Sequence, residues 1–206
     1  MDGSVRPCWT TNRANRAGNA ERSDMLELTR PAYRGYEVSD ISKLDWNEVV
    51  IEAKFDGMRI QIEHDGREVE FYSDEGKRKH DRLPYQAEEA MRLGHEPFVL
   101  DSECIVVKDG KARHRTEANA LLNGKFDPSE AAKHAYLMVF DVLKFEGDDV
   151  RSHPYHERIE LLGQFRDTEH LKFMRPTRDL DAESYSYIVR IDDPRLQEIV
   201  NRVSHI

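Results

Sequence analysis

The sequence predicts an α+β fold, with mainly antiparallel sheets and flanking helices, and three features predict it. Two alternating runs, Met58–Glu63 and Val69–Phe71, flank Asp65-Gly66. Alternation of apolar and polar residues on both sides of Asp-Gly is the signal of a two-stranded hairpin. Two longer apolar runs, Phe98–Val107 and Tyr136–Phe145, read as strands interrupted by acidic residues. Helical patterns lie among these strands without the βαβ rhythm that a parallel sheet requires.

The elements follow in order. Residues 1–24 are rich in Asn, Arg, Gly, Ser and Thr, with Trp9 as the only large aromatic. They show neither strand nor helix periodicity and are expected to form a poorly ordered lead-in to a single structured unit, 25–206. Val49-Val50-Ile51 is apolar and β-branched, as a strand requires. A helix is expected from Pro84 to Leu93, with Ala87, Ala90 and Met91 on one side. Phe98–Val107 reads as one strand with a polar interruption at Asp101-Ser102-Glu103, ending in the turn Lys108-Asp109-Gly110-Lys111. Short helices are expected over Thr116–Leu122 and from Asp127-Pro128, where aspartate caps and proline fits the first turn. Tyr136–Phe145 is a strand broken by Asp141, and Pro154–Phe165 places Ile159, Leu162 and Phe165 at helical spacing. Asp193-Pro194 opens a last expected helix to Ser204, with Leu196, Ile199, Val200 and Val203 as its core stripe.

Composition narrows the function. The chain has 206 residues, 38% of them hydrophobic and 34% charged, enough for one domain with a core. No apolar run is long enough for a membrane helix, and no apolar stretch near the start could serve as a secretion signal. The sequence reads as soluble and cytoplasmic. Cys8 and Cys104 are the only cysteines, so neither a disulfide framework nor a zinc ribbon is available. His153 and His156 lack a third ligand and read as surface residues. The net charge of -9 argues against a domain that grips nucleic acid by electrostatics alone. Neither a Walker A loop nor a GxGxxG loop occurs.

The chemistry concentrates in Glu52-Ala53-Lys54-Phe55-Asp56-Gly57-Met58-Arg59. A strand delivers Lys54 to its end, Asp56-Gly57 makes a tight turn, and Arg59 begins the next strand, so that Lys54, Asp56 and Arg59 surround one concave end of the sheet. A lysine becomes nucleophilic when burial or adjacent cations free its lone pair. Arg59 could supply such a cation and hold a phosphate by bidentate hydrogen bonds. Gly57 lets backbone approach a ligand closely. The competing reading is a solvated lysine beside an ordinary hairpin entry.

Two further segments decide between them. Phe98-Val99-Leu100-Asp101-Ser102-Glu103-Cys104-Ile105-Val106 and Val139-Phe140-Asp141-Val142-Leu143, the latter followed by Gly147, Glu157-Arg158 and Leu161-Leu162, stand in fixed order downstream of Lys54. Together the three segments resemble the covalent nucleotidyltransferases, and among them the ATP-dependent DNA ligases. The resemblance covers the chain from about Leu28 onward. It implies an ATP-grasp-like nucleotidyltransferase fold and a partial adenylylation domain over 25–206. It also implies ATP as substrate, Mg2+ as cofactor and nicked duplex DNA as partner, in the service of DNA repair, recombination and replication.

Residue by residue, the resemblance makes Lys54 the nucleophile that attacks the α-phosphorus of ATP. It sets Glu52 on the adenine amino group, and Arg59 on the ribose and phosphate side beside Asp56 and Gly57. Glu103 falls near the ribose hydroxyls and the metal, and Phe140 on the adenine face. The plain alternatives are a solvent-satisfied strand-edge glutamate for Glu103 and core packing for Phe140.

Two departures from the family pattern stand out. Tyr72-Ser73-Asp74-Glu75-Gly76 carries aspartate where the family carries arginine, with Lys77, Arg78 and Lys79 as substitutes for the lost cation. The family's EGxxxK strand does not occur before Ile206. Weak or absent activity of the isolated chain, and self-association through an exposed sheet edge, are therefore expected. The open alternatives are an RNA ligase or capping-type nucleotidyltransferase, and a non-catalytic nucleotide-binding remnant.

Overall fold

A computed structural model of the chain describes residues 45, 47, 49–176, 186–190 and 199–201. The expected lead-in over 1–24 and most of the expected helix over 194–204 lie outside the described residues. Ten strands are described: β1 Val49–Ala53, β2 Met58–His64, β3 Val69–Ser73, β4 Phe98–Lys108, β5 Lys111–Ala112, β6 Ala135–Phe145, β7 Asp148–Asp149, β8 Leu171–Phe173, β9 Ser186–Arg190 and β10 Ile199–Asn201. The α-helices described are α1 Pro84–Ala90, α2 Arg115–Leu122, α3 Pro128–Ala131 and α4 Tyr155–Leu162.

The main sheet runs β3-β2-β4-β6-β7, with β5 paired to β4 and β8 to β6. All its pairings are antiparallel except β6–β8, a short parallel pair reached through α4. The expected α+β class with mainly antiparallel sheets therefore holds, with one parallel pair added. The β2–β3 hairpin turns as its sequence dictates. Asp65 Oδ1 accepts from the backbone N–H of Arg67 and of Glu68, both at 2.8 Å, and Gly66 takes φ +93°. A Cβ is strained at such a φ, so glycine suits the position.

Opposed residues of paired strands share a face of the sheet. Ile60, Ser102 and Val139 form one such row, and Ile62, Leu100 and Val142 another, all buried in the principal apolar core. Ser102, polar in this row, donates its hydroxyl to the Ile60 carbonyl at 2.7 Å. The opposite face carries Arg59 beside Glu103, and Gln61 beside Asp101 and Asp141. Period-two alternation has thus sorted the apolar residues to one side and the polar cluster to the other.

A second sheet, β1-β9-β10, is wholly antiparallel. Here one expectation fails. Ile199 and Val200, assigned by spacing to a helical stripe, belong to strand β10, with Ile199 opposite Ile188 and Val200 opposite Tyr187. Both residues are β-branched, and so short an apolar run satisfies either period; pairing with β9 decides it.

Candidate active site

Lys54 follows the last residue of β1, and the turn 54–57 leads from one sheet into β2 of the other. Gly57 fixes how closely that turn approaches β4. Its N–H donates to Glu103 Oε1 at 3.0 Å, and a Cβ built on it would lie 2.2 Å from the Cys104 carbonyl oxygen and 2.9 Å from Glu103 Cγ. Only glycine permits this contact. The glycine of the Lys-x-Asp-Gly-x-Arg segment is therefore explained by approach to the protein's own backbone.

Asp56 meets the start of α2. It is exposed, accepts from the N–H of Arg115 at 3.3 Å at the start of α2, and lies 3.8 Å from His114 Nε2. A carboxylate there complements the unpaired N–H groups of a helix start. Asp56 is thus tied to the start of α2, whose first residue Arg115 also acts electrostatically on Glu103.

On that face three carboxyls gather. Asp101 is fully buried and takes a two-pronged hydrogen bond from Arg59, Nε to Oδ1 at 2.8 Å and Nη2 to Oδ2. Part of the guanidinium assigned to phosphate is therefore spent on holding β2 to β4. Asp141 is equally buried and is gripped by Arg158 of α4, Nε to Oδ1 at 2.8 Å and Nη2 to Oδ2 at 2.9 Å. Arg158 Nη1 also donates to the His153 carbonyl at 2.7 Å. Such charges are tolerable in a protein interior because each is paired and hydrogen-bonded. Glu103 is half-buried, and burial pushes its carboxyl up to about 7 against the pull of the Gly57 N–H.

Glu52 is buried and accepts a hydrogen bond from the Tyr155 hydroxyl of α4. Burial pushes its carboxyl up to about 8, with Tyr155 opposing that shift. Phe140 is half-buried and stands outside the principal apolar core. Ser102 pairs with Val139 and Asp101 with Asp141, so Phe140 is the extra residue of a β-bulge. Bulges re-aim side chains.

The segment around Asp74 is also organised. Lys77 pairs with Glu75 at 2.5 Å, and Arg78 with Glu70 and Asp81, each at 2.7 Å. Lys79 Nζ donates to Asn123 Oδ1 at 2.9 Å and to the Leu122 carbonyl at 3.2 Å. The three cations that could replace an arginine at position 74 are thus engaged by neighbours of their own.

Sequence reasoning missed Tyr155, Asp101, Asp141 and Arg158 as parts of this assembly. Asp101 and Asp141 carried a signal, since each interrupts an apolar strand. Tyr155 and Arg158 lie about one helical turn apart, but their partners are 103 and 17 residues away.

The family model for the ATP dependent DNA ligase domain matches residues 34–186. The chain belongs to that family. It is 33% identical over 174 residues to DNA ligase 2 of Haloquadratum walsbyi, covering 81% of this chain and 28% of that protein. It is 35% identical over 111 residues to a probable DNA ligase of Streptomyces coelicolor, covering 52% and 22%. The chain therefore spans between a fifth and a third of the length of these relatives. Among solved structures, the ligase domain of LigD from M. tuberculosis shares the fold. Its TM-score is 0.60 at 19% identity, over 82% of this chain and 56% of that one. A mycobacterial DNA ligase D complexed with ATP and MES superposes with a TM-score of 0.54 at 20% identity, over 77% of this chain and 56% of that one.

Proposed function

We propose that residues 25–206 carry the nucleotidyl-transfer site of an ATP-dependent DNA ligase, with Lys54 as the acceptor of AMP. The lysine amine, having lost a proton to solvent, forms a bond to the α-phosphorus of ATP. The bond from that phosphorus to the bridging oxygen breaks, and pyrophosphate leaves. The product is a lysyl-AMP phosphoramidate. In the complete ligase the AMP then passes to the 5′-phosphate at a nick in duplex DNA, and the 3′-hydroxyl displaces it.

One observation carries this reading: the Gly57 N–H bond to Glu103, at an approach no Cβ allows, locks the Lys54 turn onto the polar face of the main sheet. Glu52, Arg59, Glu103 and Phe140 then surround the nucleotide, with Glu52 on the base, Phe140 stacked on its face, and Arg59 and Glu103 toward ribose and phosphate. Asp56 contributes by anchoring α2 to the turn.

Magnesium prefers oxygen ligands and keeps much of its water. Glu103 suits it, as a carboxylate whose burial leaves its negative charge poorly compensated. Bound there, the ion would offset triphosphate charge. Among the described residues no helix is long and apolar enough to cross a membrane.

The test is incubation with α-labelled ATP and magnesium. Covalent label is expected on the wild-type chain and absent from Lys54→Ala. Label persisting on the variant removes Lys54 from the chemistry. Nucleotide binding without any label would instead support a non-catalytic module, and preferential labelling by GTP a capping-type enzyme.

A further inference from the structure

We propose that Glu52 reads the base as a neutral carboxyl, offering one acceptor and one donor, oriented by the Tyr155 hydroxyl, and that this makes the site select adenine over guanine. The proposal rests on the preceding reading of Lys54 and of Glu52 as the base-facing residue two positions before it.

Little solvent reaches this carboxyl. Glu52 is 5% exposed and Tyr155 1%. Tyr155 packs against Val50, which lies two residues before Glu52 on β1. The Tyr155 hydroxyl donates to Glu52 Oε1, which leaves Oε2 as the second functional atom.

Among the described residues, the charged groups facing Glu52 are Arg158 from α4 and Asp141 from β6. Arg158 is committed to Asp141 through two hydrogen bonds and to the His153 carbonyl through a third, so the pair has little net charge to lend. From β9, the residue in register with Glu52 is Tyr187.

A buried carboxylate whose close donor is a neutral phenol is costly, and such a group takes up a proton instead. The shift to about 8 has this cause. Tyr155 cannot supply that proton by ionising, because burial and the neighbouring Glu52 hold its hydroxyl well above the ordinary tyrosine range. It remains a donor.

The two protonation states of Glu52 match different bases. Adenine presents an exocyclic amine donor next to a ring-nitrogen acceptor. Guanine presents two adjacent donors, its ring N–H and its exocyclic amine. A carboxylate has acceptors only and fits the guanine pair, whereas a protonated carboxyl has one donor and one acceptor and fits adenine. With Tyr155 bound to Oε1, that oxygen accepts from the adenine amine and the proton on Oε2 is directed to the ring nitrogen.

Equilibrium binding of ATP and GTP, measured by calorimetry without magnesium at pH 7 and pH 9, tests this. If only the neutral form binds adenine, the Kd for ATP rises about tenfold between the two pH values, following the neutral fraction. Glu52→Gln keeps one donor and one acceptor at every pH. It is expected to remove that rise while still preferring ATP to GTP. Glu52→Ala is expected to lose the preference. Tyr155→Phe, which keeps the packed ring, is expected to raise the Kd for ATP several-fold, with a smaller effect on the labelling rate at saturation.

A Glu52→Gln variant behaving like the Glu52→Ala variant, or wild-type ATP affinity that is flat from pH 7 to 9, overturns the proposal. If wild type binds ATP with this pH dependence but forms no adduct on Lys54, the failure lies in the preceding reading and the base selection stands.

Discussion

Replacing Arg158 with methionine isolates the energetics of the polar face. The side chain is 2% exposed and its partner Asp141 1%. Methionine fills much of the same volume but withdraws both guanidinium hydrogen bonds, at 2.8 and 2.9 Å, and the 2.7 Å bond to the His153 carbonyl. Asp141 is then a buried carboxylate whose nearest remaining donor, among the described residues, is the Val142 N–H at 2.8 Å. Removing one partner of a buried pair costs about 3–5 kcal/mol. For a chain of this length that corresponds to a fall in Tm of roughly 6–20 °C.

The pH dependence has a definite sign. Without Arg158, burial pushes the Asp141 carboxyl upward against only the more distant Arg59 and the Val142 N–H. A carboxyl whose folded pKa lies above its unfolded value makes the fold less stable as pH rises between the two. The deficit of Arg158→Met should therefore be smallest in mild acid and largest at neutral pH. Thermal unfolding followed by circular dichroism at pH 5 and pH 7 measures it. The double variant Asp141→Leu, Arg158→Met should recover most of the loss, because replacing both partners by apolar groups is often neutral. A single variant within about 1 kcal/mol of wild type, or a double variant no better than the single, would contradict the buried-pair account.

Gly57 and Glu63 give two more tests. Gly57→Ala places a methyl 2.2 Å from the Cys104 carbonyl oxygen. The turn must move, costing about 1–3 kcal/mol in stability as overpacking does. Label incorporation should fall by at least about tenfold, the equivalent of about 1.4 kcal/mol, as the lysine is displaced. A well-folded variant that labels normally would exclude this role for the turn. Glu63 is 4% exposed, its Oε1 has no hydrogen-bond partner among the described residues, and burial, with Glu70 opposite on β3, pushes its carboxyl up to about 7 despite Lys144. Because the folded value is raised, its ionisation weakens the fold as pH climbs from the ordinary carboxylate range through about 7. Glu63→Gln should raise Tm at pH 8 and change it little at pH 5, and denaturation scans at the two pH values check this.

Much of the molecule is legible from near neighbours. Asp65-Gly66 between alternating runs places the β2–β3 hairpin, because turn chemistry and side-chain period act over a few residues. Phe98–Val107 and Tyr136–Phe145 announce the two central strands through length and β-branched content, and Asp127-Pro128 announces the start of α3. The Lys54 to Arg59 segment, with the strands around Glu103 and Phe140, identifies the family.

The surroundings of those residues come from distant parts of the chain. Gly57 is glycine because of the Cys104 carbonyl on β4. Glu52 is held by Tyr155 across 103 residues, and Asp141 by Arg158 across 17. Ile199 and Val200 became a strand because β9 presented an edge to pair with. No periodicity encodes such contacts, since each depends on which two surfaces the chain brings together. Interactions between near neighbours were enough to set the elements and reveal the family. Which acids are paired, which are buried alone and hence which carry a proton was left to the folded assembly, because burial and long-range partners set those free energies.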